Sequence, residues 1–261
     1  MDGAVEEYSE TAAVIDVPHI LQNKEWDCGL ACTRMILRYC DILSGDDDEE
    51  KLELACKTVG IHQSVWTIDI AHLMAHFGIK HQFFTITLGV DPTYSSVGFY
   101  NSDYCNFSEE EIRINHLFRN AAEEGISVQK KSLEREEILS ELDDGHPAIV
   151  LVDANILHCD GCHRYQFSSQ DSEVEDESSN VISDCLSNCF QHEGGDTEGE
   201  EEKGYAGHFV VICGLDQEKK HIFHKNPARS CDTCCCSFDN FDLARRSHGT
   251  DEDILFIHRG R

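Results

Sequence analysis

Residues 22–32 read Gln22-Asn-Lys-Glu-Trp-Asp-Cys28-Gly-Leu-Ala-Cys32, and the stretch carries on into Thr-Arg-Met35-Ile-Leu-Arg-Tyr39. Leu30, Ala31 and Met35, with Ile36 and Leu37, recur at helical spacing, so a helix is expected over Asp27–Tyr39 with Asp27 as its N-cap. Cys28 then stands at the helix start, where unpaired backbone N–H groups and the positive end of the helix dipole stabilise a thiolate. Gly29 leaves room beside it for a substrate carbonyl. The Cys28 N–H and the Gln22 side-chain amide are candidate donors to an oxyanion.

A thiolate needs a base, and the base needs an orienting partner. Working outward from Cys28, the candidates are His208, at the head of the apolar run His208–Gly214, and Asn226, which follows a second run at His221–His224. The order Gln22, Cys28, His208, Asn226 is the order used by papain-like enzymes. Asp69–Phe77, Ser108–Glu124 and Glu136–Leu142 read as further helices, the first closed by Gly78 and the second opened by a Ser108–Glu111 capping box. Pro147–Asp153, the two runs around Asp216–Lys220, and Asp253–His258 read as strands. Helices come first and strands later, which predicts an α+β class with N-terminal helices and a C-terminal antiparallel sheet. Trp26 and Phe209 are expected to pack as aromatics in the core or around this site.

The chain of 261 residues carries 21 basic and 50 acidic side chains, a net charge of −29. Such an acidic balance argues against nucleic acid or anionic lipid as a partner through a basic face. No apolar run approaches the ~20 residues of a membrane span. Met1-Asp2-Gly3 lacks the order of a signal peptide, and Asp2 excludes myristoylation, so the cytoplasm is the expected compartment. Between Tyr165 and Glu202 there are twelve acidic residues and no Lys or Arg. That composition cannot support a core. The expected organisation is a tail at 1–16 and one domain at 17–261, interrupted by an acidic insertion at about 160–204 that offers a surface to a protein partner. A shorter acidic run, Asp46–Glu50, reads as solvated surface at a loop or helix start.

Gln22–Met35, Gly145–Val152, Gly207–Gly214 and Asn226-Pro227 resemble the bacteriocin-processing branch of the papain-like cysteine peptidases. That branch usually carries Asp where this chain has Asn226. A closer resemblance covers nearly the whole chain. Trp26-Asp-Cys-Gly-Leu-Ala-Cys-Thr-Arg-Met35, Trp66-Thr-Ile-Asp69, Gly207-His-Phe209 and Gly249-Thr-Asp-Glu-Asp-Ile-Leu-Phe256 are similar to the guanylyl cyclase domain-containing family, which includes small soluble plant members. The first resemblance implies a papain-like fold and acyl transfer or amide hydrolysis on a peptide-like or small-molecule substrate. Cys28 would be nucleophile, His208 base, Asn226 orienter and Gln22 oxyanion donor. The second implies conversion of GTP to cyclic GMP and diphosphate, with magnesium or manganese held by carboxylates. The chain has no P-loop, and Asp69 is the candidate metal ligand, with a helix cap as its alternative role. A third reading is a non-catalytic binding protein that keeps the cleft.

Fourteen cysteines without a secretory signal read as thiols or metal ligands, and Cys40, Cys56, Cys105 and Cys213 as small buried hydrophobes. Cys159-x2-Cys162, followed by His163, has the spacing of a zinc half-site, with Cys185-x3-Cys189 as the expected partner and His192 as a spare ligand. Cys231, Cys234, Cys235 and Cys236 are less well spaced for one metal.

Overall fold

The computed structural model describes residues 12–45, 48–101, 107–160 and 204–259. Two local patterns organise them: amphipathic helices in the first half and apolar strands in the second. Helices α1 (Cys28–Tyr39), α2 (Asp48–Val59), α3 (Thr67–His76) and α4 (Phe107–Asn120) precede α5 (Arg135–Asp143) and α6 (Phe238–Arg245). The strands are β1 (Ala12–Val14), β2 (Lys80–Thr85), β3 (Ser127–Lys130), β4 (Ala148–Asp153), β5 (Gly207–Asp216), β6 (His221–Lys225), β7 (Cys234–Ser237) and β8 (Ile254–His258). They form one sheet in the order β3-β2-β8-β4-β5-β6-β7, with β1 off this path and paired to β5. Every pairing is antiparallel except that of β2 with β3, which is parallel and makes the sheet mixed. The α+β class expected from the order of elements is observed.

β4 is buried along its whole length because it lies between β5 and β8 with a core layer on each face. Alternate residues of β5 feed these two layers. Phe209, Val211 and Cys213 join α1–α4 residues such as Met35, Ile70 and Leu73 in one cluster, whereas Val210 and Ile212 join Ile138, Leu142 and Phe241 of α5 and α6 in the other. A bulge between Ile212 and Gly214 re-registers β5 against β6.

β1 lies within the stretch read as a tail, yet Ala12–Val14 pair with Gly214–Asp216. The reason is Gly214: a Cβ there would sit 2.3 Å from the Ala13 carbonyl oxygen, so only glycine lets β1 approach. The acidic run Asp46–Glu50 also departs from simple solvated surface. Asp48 opens α2, is buried, and takes the Arg38 Nε at 2.7 Å. Most of the expected acidic insertion lies outside the described residues, as does Cys105. Among the described residues no helix is long and apolar enough to cross a membrane.

Candidate functional site

α1 begins at Cys28, one residue later than the expected span, and Asp27 holds the N-cap position. Its carboxylate makes no cap bond to the helix. It turns backward instead, accepting from the backbone N–H of Lys24 at 3.0 Å and of Asn23 at 3.3 Å. Asp27 therefore braces the preceding loop and leaves the amides of the first turn unbonded by its side chain. Cys28 is buried, with 8% of its surface exposed.

The first turn of α1 lies directly on the start of β5. A Cβ on Gly29 would stand 3.0 Å from the Phe209 ring, and the Cys32 thiol donates to the Phe209 carbonyl at 3.4 Å. Burial, with the nearby Cys28 adding to it, holds Cys32 well above the ordinary thiol range, so Cys32 is a structural thiol and not a second nucleophile. Phe209 belongs to the core, and Trp26 is half-buried on the loop with the Lys24 ammonium over its ring at 5.1 Å.

His208 is joined to Asn226 across β5 and β6: His208 Nε2 lies 2.9 Å from Asn226 Oδ1. The amide orientation is set independently, because the backbone N–H of Ala228 donates to the same oxygen at 3.0 Å. A carboxamide oxygen only accepts, so Nε2 carries the ring proton and Nδ1 keeps its lone pair in the neutral ring. Burial lowers the pKa of His208, Asn226 opposes that, and Arg229 adds to it. The balance favours the neutral imidazole at neutral pH, the form a general base requires.

Gln22 approaches the same corner from the loop before α1. Its backbone N–H donates to the Pro227 carbonyl at 2.9 Å, and the neighbouring His19 Nε2 lies 2.9 Å from the Asn226 carbonyl. The Gln22 amide donates one N–H to the Lys24 carbonyl at 2.8 Å, which leaves its second N–H. Thus Gln22, His208 and Asn226 share one corner, and the helix start bearing Cys28 packs on the residue that follows His208. Sequence reasoning missed His19, Phe99 and Tyr205. Phe99 and Tyr205 meet edge to face, 5.3 Å apart, and both crowd Gly207, where a Cβ would fall 2.8 Å from either side chain. The glycine before His208 was the available signal: a position with no side chain marks close approach by another group.

The remaining candidates part company. Asp69 is fully buried, accepts from the Trp66 N–H at 2.9 Å, and receives both terminal nitrogens of Arg113, at 2.5 and 2.9 Å. Its lone pairs serve a helix cap and an ion pair, so Asp69 does not fit a catalytic metal. Of the zinc set, Cys159 is described and buried, while Cys162, His163, Cys185, Cys189 and His192 lie outside the described residues. Cys159 lies close to Cys234, which belongs to the cluster less well spaced for one metal.

These features define an α+β protein with a half-buried imidazole–carboxamide pair at the start of β5 and a buried cysteine at the start of the helix that packs on Phe209. Comparison with known proteins narrows the class. A family model described as guanylylate cyclase matches residues 17–257. Guanylyl cyclase 1 of Arabidopsis thaliana is 34% identical over 245 residues, covering 94% of this chain and 76% of the relative. A crystal structure described as a C39-like peptidase from Bacillus anthracis aligns over 95% of this chain and 98% of its own, at 12% identity and a TM-score of 0.47. The chain belongs to the guanylylate cyclase family.

Proposed function

We propose that this chain is a papain-like thiol enzyme that performs acyl transfer or amide hydrolysis on a peptide-like substrate. The observation that carries the reading is the His208–Asn226 hydrogen bond with its orientation fixed by Ala228, which leaves Nδ1 as the basic nitrogen. In the proposed reaction the Cys28 thiol gives its proton to His208 Nδ1 and the sulfur attacks the substrate carbonyl carbon. The carbonyl oxygen, now an anion, takes hydrogen bonds from the Cys28 N–H and the second Gln22 amide N–H. Collapse breaks the C–N bond, the amine leaves with the proton from Nδ1, and water or an acceptor amine then releases the acyl group from sulfur. Strict alternation places His208 on the Val210 side of β5, whereas Gly29 packs on Phe209. The proposed reaction requires the thiol and the ring to meet around the end of β5 at Gly207–His208, where Phe99 and Tyr205 crowd Gly207.

The test is alkylation by a thiol-directed electrophile, followed residue by residue by mass spectrometry. Cys28 is expected to react first, and His208→Ala to slow it by a factor on the order of 10². Even labelling of accessible thiols, with no response to His208→Ala, refutes the enzyme and leaves a binding protein that keeps the cleft.

A second reading follows from the relative named Guanylyl cyclase 1. Ring closure of GTP needs attack of the ribose 3′-oxygen on the α-phosphorus and neutralisation of the phosphates. Asp69 is taken by Arg113 and does not offer its oxygens to a metal that would neutralise the phosphates. Mass-spectrometric detection of cyclic GMP from rigorously pure protein with magnesium or manganese tests it. Product that survives Cys28→Ala separates cyclisation from the thiol site, and absence of product removes the reading.

A further inference from the structure

We propose that Cys159, Cys231 and Cys234 form a zinc-binding thiolate site that joins the segment after β4 to the loop between β6 and β7. The sulfurs of Cys231 and Cys234 lie 3.1 Å apart, and the Cys159 thiol is close enough to Cys234 to add to the rise in its pKa that Cys231 also causes. Two of these residues sit in a Cys-x2-Cys turn, Cys231-Asp-Thr-Cys234, and the third comes from more than seventy residues earlier in the chain. Every described cysteine is reduced, and a separation of 3.1 Å is well beyond the ~2.05 Å of a disulfide. Around tetrahedral zinc, with Zn–S near 2.3 Å, two sulfurs stand roughly 3.8 Å apart, so the pair needs to open by only about 0.7 Å.

The surroundings match a ligand cluster better than a packing accident. Cys159 and Cys234 are buried and Cys231 is half-buried. His224 and Cys236 lie in the same corner, with Cys236 Sγ 4.0 Å from His224 Nδ1. Small hydrophobes pack without aligning their polar atoms on one another; here the Cys231 and Cys234 sulfurs face each other at 3.1 Å. Zinc binding is balanced by release of the three thiol protons to solvent, with no change in oxidation state. Cys162, which completes the zinc-type turn with Cys159 in the sequence, lies outside the described residues, and the three thiols carry the inference without it.

The site also has a structural consequence. The loop it would clamp begins at Asn226, the partner of His208, and is already held by Lys225 Nζ, which bonds Asp232 Oδ2 and Thr233 Oγ1 at 2.8 Å each. A metal at the far end fixes that loop against the chain leaving β4. This inference is independent of any chemistry at Cys28.

The experiment uses the full chain purified without chelator. Elemental analysis is expected to find about one zinc per chain, and cobalt in its place to give the intense bands of a tetrahedral thiolate site. Cys159→Ser and Cys231→Ser should each lose those bands while Cys40→Ser keeps them. Because a ligand variant can fail to fold, alkylation of the unaltered protein with and without zinc supplies the second readout. Cys159, Cys231 and Cys234 should be protected together, by tenfold or more, with Cys40 unchanged. Lack of zinc together with lack of cobalt bands, equal alkylation with and without metal, or recovery of a Cys231–Cys234 disulfide each overturns the proposal.

Discussion

Asn226 holds His208 by a single oxygen: Oδ1 sits 2.9 Å from the ring Nε2 and is itself pinned by the Ala228 N–H at 3.0 Å. Because Asn226 opposes the effect of burial on His208, Asn226→Ala should lower the histidine pKa further as well as free the ring to rotate. The expected outcome is slower alkylation of Cys28, on the order of tenfold, with the acid limb of the rate profile moved to lower pH. Asn226→Asp should restore most of the rate and move the limb upward, since a carboxylate favours the imidazolium. A merely structural Asn226 would change the rate of both variants without moving the limb.

Arg113 grips the fully buried Asp69 with both terminal nitrogens and also bonds Glu110. Burial pulls the guanidinium pKa down, but its hydrogen bonds to Asp69 and Glu110 outweigh that and raise it. Arg113→Ala leaves a carboxylate inside the protein without its counter-charge and is expected to cost about 3–5 kcal/mol in denaturant unfolding. Asp69→Asn should cost less, because Arg113 keeps Glu110. Equal, small losses from both variants would contradict the assignment of this pair as the anchor between α3 and α4.

Asp251 and Asp253 form a buried acidic pair, and burial raises both above the ordinary value of 3.8, Asp253 strongly. Asp253 is also pushed up by its neighbour Asp251. A raised carboxyl contributes stability that is complete below its unfolded pKa and is lost as the pH climbs through the folded value. Unfolding measured from about pH 4 to neutrality should therefore show the wild-type chain losing stability relative to Asp253→Asn as the pH rises. A difference that is flat with pH, or of opposite slope, would rule out a proton held on this pair.

Gly214 lets β1 lie against β5, since a Cβ there meets the Ala13 carbonyl oxygen at 2.3 Å and the Val14 Cα at 2.9 Å. Gly214→Ala should detach residues 12–14 while leaving the rest of the sheet paired. Hydrogen exchange is the measurement: loss of protection confined to β1 and the Leu215–Asp216 end of β5 is expected, and unchanged protection of β1 would sink the idea.

The amino-acid sequence determined those features whose causes lie among near neighbours along the chain. α1, α3 and α5, and the strands β4, β5, β6 and β8, follow from apolar spacing, capping positions and glycine stops, all acting within a few residues. It also marked Gln22, Cys28, His208 and Asn226. The tertiary structure alone decided what depends on remote partners. β3 (SVQK) and β7 (CCCS) carry weak strand patterns and exist because β2 and β6 offer them hydrogen-bonding edges. β2, with polar Lys80, His81 and Gln82 at its start, is drawn into the sheet by β8. The pairing of β5 with β6 brings Asn226 to His208, and Asp27 braces its own loop where spacing had made it a helix cap. Likewise Cys159 comes beside Cys234, more than seventy residues later in the chain, because the neighbours of a sulfur are set by which strands pair. Local spacing encodes periodicity, but strand pairing is a contest among distant segments for backbone hydrogen bonds and buried area, and only the folded chain records its result.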